Sequence, residues 1–237
     1  MNEFWSRFKW YMIGGGVLLF VGAIVLTIVL VRNSEGPIMA APPPAPGENG
    51  EVPRIETVPA QEFRGEGSKE QSIQAGGGLT IITLTHEGGQ NFVVQFGQGE
   101  NMQLLVNEIG NYRGSKAVGL PVGTYTLKIA TRGRWTARVD QSVPTEAPSA
   151  PKKLEGDGAE ASDFFFLSAG TARFKLSFEG DGLFAPYLLK ASDGSVVTVL
   201  ANEFGRFTGD KAVEIAEDGI YLVDVTGSGR WSIDVAQ

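Results

Sequence analysis

The first hydrophobic segment of the chain shows no polar alternation. From Trp10 to Val31 it reads WYMIGGGVLLFVGAIVLTIVLV without a charged residue. As a helix rising 1.5 Å per residue, this run reaches about 33 Å, enough to cross a hydrocarbon core. The pattern predicts a tail over residues 1–9 and a transmembrane helix over 10–32. A secretory signal is the competing reading, but its apolar region typically covers about 7–15 residues. This run is longer and reaches Arg32 without an obvious cleavage site; Ile38-Met39-Ala40-Ala41 is a distant, weak one. An uncleaved anchor is therefore expected. Arg7 and Lys9 precede the span and Arg32 alone follows it closely. That bias places the tail in the cytoplasm and the rest of the chain beyond the cell (inner) membrane, periplasmic or extracellular. Trp5, Trp10 and Tyr11 then lie at headgroup level, where amphipathic rings are favoured.

After the span the pattern changes twice. Residues 33–60 are Pro-rich and lack apolar periodicity, which predicts an extended, semi-rigid spacer. Beyond it, apolar residues recur every second position. Tyr125, Leu127 and Ile129 alternate with Thr124, Thr126 and Lys128, and Trp135, Ala137 and Val139 alternate with Arg134, Thr136 and Arg138. Near the end, Trp231, Ile233 and Val235 alternate with Arg230, Ser232 and Asp234. Period two marks half-buried antiparallel strands. Further strands are expected near 70–75, 79–86, 92–97, 102–107 and 114–120, separated by Gly-rich and Asx-rich turns.

Self-comparison explains the recurrence. Asn107–Gln141 matches Asn202–Gln237 with one inserted residue, LTIITLTHEGG answers TARFKLSFEGD, and Gly65-Glu66-Gly67 answers Gly156-Asp157-Gly158. The period of about 95 residues is too long for a solenoid unit and suits a small domain. The expected fold is all-β: two tandem antiparallel β-sandwich, jelly-roll-like domains over 61–141 and 156–237, joined by a second Pro-rich stretch over 142–155. The shared Asn-Glu-x-Gly, Lys-Ala-Val, Gly-x-Tyr and closing Arg-Trp strand resemble bacterial extracytoplasmic β-sandwich repeats, and loosely the pre-peptidase C-terminal domains. The resemblance covers both copies, leaves out anchor and spacer, and implies accessory or binding modules attached to something else.

Composition removes several functions. The chain has no Cys and one His, so disulfides, thiolate metal sites and multi-histidine sites are all excluded. Its net charge of −7 argues against nucleic acid, whose affinity depends on clustered cations. Residues 60–141 hold 8 basic and 7 acidic side chains, whereas 155–237 hold 6 and 14. The acidity is therefore distal, and would steer basic soluble partners.

Candidate chemistry is sparse. Trp135 and Trp231 would suit a sugar-stacking platform, but their alternation with Arg, Thr and Ser places them in the core. Asn107-Glu108 and Asn202-Glu203 stand before Gly110 and Gly205, where an Asn side chain capping a turn is favoured over a ligand site. The acidic loops at Glu155–Gly158, Glu179–Gly182 and Ser192–Gly194 offer oxygen ligands without a calcium-loop pattern. His86 aligns with Phe178 on the inward face of its strand and lacks any activating motif around it. No catalytic residue, cofactor or metal is expected, and the chain is not read as an enzyme. Gly15, Gly16, Gly22 and Ala23 form a small-residue stripe on the predicted helix that lets another helix pack closely. The expectation is thus an accessory subunit of a larger membrane complex, for which a respiratory or photosynthetic complex is one host, with the lipid bilayer and transmembrane proteins as partners. A surface-displayed module for glycan, cell wall or a soluble protein is the alternative.

Overall fold

A computed structural model describes residues 58–237. The predicted tail, the span with its Gly15, Gly16, Gly22 and Ala23 stripe, the ring residues Trp5, Trp10 and Tyr11, and most of the spacer lie outside the described residues. Among those described, no helix is long and apolar enough to cross a membrane.

The described chain is all-β. Its strands are β1 (Gln61–Glu66), β2 (Lys69–Glu87), β3 (Asn91–Gln98), β4 (Asn101–Ile109), β5 (Tyr112–Ala130) and β6 (Arg134–Asp140), then β7 (Lys152–Asp157), β8 (Glu160–Ala161), β9 (Phe165–Leu167), β10 (Gly170–Lys190), β11 (Val196–Val199), β12 (Glu203–Phe204), β13 (Phe207–Ile215) and β14 (Gly219–Ala236). They form two antiparallel sheets, one from each copy of the repeat, and the first runs β1-β6-β2-β5-β3-β4.

Several strands are longer than the alternation predicts. The expected pieces 70–75 and 79–86 are one strand, β2, that bends at Gly76–Gly78. Gly77 and Gly78 sit at φ of 90° and 85°, a region that L side chains reach only with strain. The bend changes which positions face the core: Ile73 and Ala75 before it, Ile82 and Leu84 after it. The first half of β2 pairs with the last half of β5, and the last half of β2 with the first half of β5 and with β6. One sheet thereby supplies both walls around a single core that includes Phe92, Leu127 and Trp135.

The second copy repeats the pairing with its strands divided at different places. The first half of β10 pairs with β13 and with the last half of β14, as the last half of β2 pairs with β5 and β6. Trp231 lies between Phe178 and Gly156, as Trp135 lies between His86 and Gly65. Even an aromatic trio recurs. Phe178 stacks on Phe184 at 4.7 Å and Phe184 meets Phe207 at 6.2 Å; His86 stacks on Phe92 at 4.7 Å and Phe92 meets Tyr112 at 5.6 Å. β7 starts at Lys152, so the last residues of the 142–155 stretch join the second sheet.

Candidate functional site

A strand buried on one face shows polar residues at every second position, so a stretch buried at every position has a second neighbour. Tyr221-Leu222-Val223-Asp224-Val225 in β14 is such a stretch. Tyr221, Val223 and Val225 point into the core of the second repeat. Leu222 points the other way and meets Leu79 and Ala117 of the first repeat together with Leu189 and Ala191 of the second. The two repeats are therefore docked against each other.

Asp224 lies at the centre of this junction with 2% of its surface exposed. One carboxylate oxygen accepts the Ala117 N–H at 2.9 Å, and the other is ion-paired with the Lys116 ammonium. Lys116 also donates to Thr226 Oγ1 at 3.0 Å and lies 5.6 Å above the Tyr187 ring. A buried carboxylate is costly unless its lone pairs are met, and here a cation and a backbone donor meet them. Ser115 adds two bonds, its N–H to Ala159 O at 3.0 Å and its hydroxyl accepting the Ala161 N–H at 2.9 Å. At one point the two main chains touch. A Cβ on Gly119 would stand 2.6 Å from Asp193 O, so no larger residue fits there without movement.

The tryptophans lie where the alternation puts them. Trp135 and Trp231 are 2% and 3% exposed, and each indole N–H donates to a turn carbonyl, Gly67 O at 2.9 Å and Gly158 O at 3.0 Å. Gly65 and Gly156 run across these rings, leaving two open depressions of about 380 and about 490 Å³. The first is rimmed by Arg64, Glu66, Glu87 and Arg134, the second by Glu155, Asp157, Glu179 and Arg230. The indoles form the floor, edge-buried, and offer no stacking face.

His86 is buried at the edge of the core. Its Nδ1 is 2.7 Å from Gly110 O and its Nε2 is 2.7 Å from Thr131 Oγ1. The carbonyl can only accept, so Nδ1 carries a proton and donates to it, and Nε2 is paired with the threonine hydroxyl. Both nitrogens are held by structural partners.

The repeated Asn residues do not cap their turns: among the described residues neither the Asn107 nor the Asn202 side chain hydrogen-bonds the backbone. Gly110 and Gly205, at φ of 100° and 83°, close the turns instead, donating to Gln90 O and Gly182 O. Asn111 holds Gly88 N–H through Oδ1 at 3.0 Å. The turn glycines leave Ile109 and Phe204 projecting from equivalent tips, 76% and 62% exposed. The acidic loops are engaged locally: Glu160 accepts the Asp157 N–H, Glu179 pairs with Arg230 at 3.0 Å, and Asp193 accepts the Ser195 N–H. No group of three metal-ligating side chains converges among the described residues.

The junction is the feature that sequence reasoning passed over. One signal pointed to it: the run Tyr221-Leu222-Val223-Asp224-Val225, which lacks the polar alternation of the other strands and sets a carboxylate among apolar residues.

No protein-family model matches the chain, and no curated protein matches it. Among solved structures the chain is similar to the PBSX exported protein XepA at 11% identity, over 78% of this chain and 89% of that one, with a TM-score of 0.23. A likeness that slight carries no argument about function.

Proposed function

We propose that the chain is a non-catalytic, single-pass subunit of a larger membrane complex, presenting two jelly-roll-like β-sandwich repeats to partners on the non-cytoplasmic side. The observation that carries this reading is the junction. A tethered binding module gains from repeats that move independently, because two loosely linked sites reach two ligands. A scaffold gains from repeats locked in one geometry, and Asp224, Lys116 and Ser115 lock them. The uncharged run Trp10–Val31, with Gly15, Gly16, Gly22 and Ala23 on one stripe, supplies membrane attachment and a surface for partner helices. A respiratory or photosynthetic complex is one host of this kind.

The alternative, a displayed module for glycan, cell wall or a soluble protein, is favoured by one observation, the apolar tips at Ile109 and Phe204. Variants separate the two readings. With Gly15→Leu and Gly22→Leu together, the subunit reading predicts that membrane proteins co-purifying in mild detergent are lost while the β-region stays folded. With Ile109→Ser and Phe204→Ser, the displayed-module reading predicts loss of binding to isolated envelope material with membrane partners retained. Unchanged co-purification in the glycine variant would remove the subunit reading.

A further inference from the structure

The junction joins unlike faces. The outer face of β2 and β5 on the first repeat meets the outer face of β10 and β14 on the second. Because the repeats share one arrangement, each carries both kinds of face and leaves one unused. Head-to-tail contacts of this kind extend into chains wherever the unused faces stay complementary. The residues at equivalent positions decide whether they do.

On the second repeat, the places of Leu79, Ile81, Ser115 and Gly119 are taken by Thr171, Arg173, Asp210 and Glu214. The registers match: Thr171 pairs with Glu214 and Arg173 with Ala212, as Leu79 pairs with Gly119 and Ile81 with Ala117. Lys211-Ala212 keeps the Lys116-Ala117 pair, yet Ala212 is exposed and Lys211 donates to Val199 O at 2.6 Å. Since even a Cβ does not fit at Gly119, Glu214 forbids the same approach. On the first repeat, the places of Tyr187, Leu189, Leu222 and Asp224 are taken by Gln95, Gly97, Thr126 and Lys128. Again the registers match, Gln95 with Lys128 and Gly97 with Thr126, as Tyr187 with Asp224 and Leu189 with Leu222. Two copies brought together through these faces would set Lys128 against Lys211. Apolar contacts and the central carboxylate are lost on one side, and bulk and charge are gained on the other.

We infer that the two unused faces are disabled halves of the junction. The interface fits one repeat of the opposite kind, and the lost apolar contacts and reversed charge at one end, with charge and bulk at the other, keep the β-region a closed pair that does not recruit further copies of this chain. Polar outer faces on terminal repeats serve the same end in stacked repeat proteins.

The test uses full-length chains in mild detergent, carrying one of two affinity tags. One chain has its distal face restored (Thr171→Leu, Arg173→Ile, Asp210→Ser, Glu214→Gly), and the other its proximal face (Gln95→Tyr, Thr126→Leu, Lys128→Asp). The mixed pair should capture about ten-fold more of each other than wild-type chains do, the gain expected when like-charge blocks are removed. Capture no better than wild type by folded variants would overturn the inference, as would self-capture of the wild type that Lys128→Glu abolishes. A second variant covers failure of the multiple substitutions to fold. Gly119→Glu transfers the block into the working junction and should broaden the distance distribution between spin labels on Arg132→Cys and Arg206→Cys. An unchanged distribution would overturn the inference by itself.

Discussion

His86 shows how one position can keep its packing while changing its chemistry. It takes the place of Phe178 in the repeated aromatic trio, where Tyr112 likewise stands for Phe207, and adds two hydrogen bonds. In urea unfolding, His86→Ala should cost about 3–5 kcal/mol, as for other large core truncations. His86→Phe keeps the stack but strands Gly110 O and the Thr131 hydroxyl, and should cost about 1–3 kcal/mol. Equal losses would mean that the hydrogen bonds, not the ring, hold the site. Ionisation adds a second residue-scale expectation. Burial pushes the Tyr112 phenol up to about 12, with Glu108 and Asp224 adding to it. A group whose folded value is raised gives stability that is fully present below its unfolded value and fades as pH climbs through the folded one. Stability should therefore fall between about pH 10 and 12, and Tyr112→Phe should flatten that limb of a chemical-unfolding series. At the acid end, burial alone would raise the Asp140 carboxyl, but the Ser142 hydroxyl and N–H together with Arg138 hold it below the usual range. The Ser195 bonds do the same for Asp193. Stability from these groups is present above the ordinary carboxylate range and lost as pH falls through their lowered values. Asp140→Asn with Asp193→Asn should make the acid limb shallower; an unchanged limb would contradict it. The inward positions of Trp135, Trp231 and His86 were legible, because period-two alternation assigns a face directly. The roles of Asn107 and Asn202 were not, because a turn glycine reached through backbone geometry needs no side-chain cap.

At the scale of elements, alternation found the places of the strands but not their continuity. Three glycines between 70–75 and 79–86 read as a break, whereas positive φ at Gly77 and Gly78 lets one strand bend and turn its other side inward. Sequence marks such a site as non-extended; only the pairing across Gly76 and Gly78 shows that the ladder continues. Gly77→Val should test this. Its Cβ would lie 3.1 Å from Val122 Cγ2 at a φ of 90°, and the left-handed conformation costs about 1–2 kcal/mol for an L residue. The single thermal transition should shift down accordingly, and no shift would mean that the bend does not depend on that conformation.

For the whole molecule, duplication was the strongest signal in the sequence and the relation of the copies the weakest. A period of about 95 residues says two domains, and a Pro-rich connection suggests two independent ones. Asp224, buried within an apolar run, carried the contrary information, because an unpaired carboxylate does not persist there. Asp224→Ala removes the acceptor for Ala117 N–H and the partner of Lys116, at about 1–3 kcal/mol for the unmet donor. Calorimetry should then resolve two transitions, against a single one expected for the wild type. The proposed membrane attachment, partner helices and host complex rest on the residues before the described region and are tested by the Gly15 and Gly22 variant.

The absence of cysteine gives direct access to the central claim, that two repeats form one body. Spin labels at Arg132→Cys and Arg206→Cys, one exposed site on each repeat, report the distance between them in the full-length protein. A single narrow distance distribution that broadens with Asp224→Ala is the predicted result. A broad distribution in the otherwise unaltered chain, indifferent to Asp224, would contradict the account.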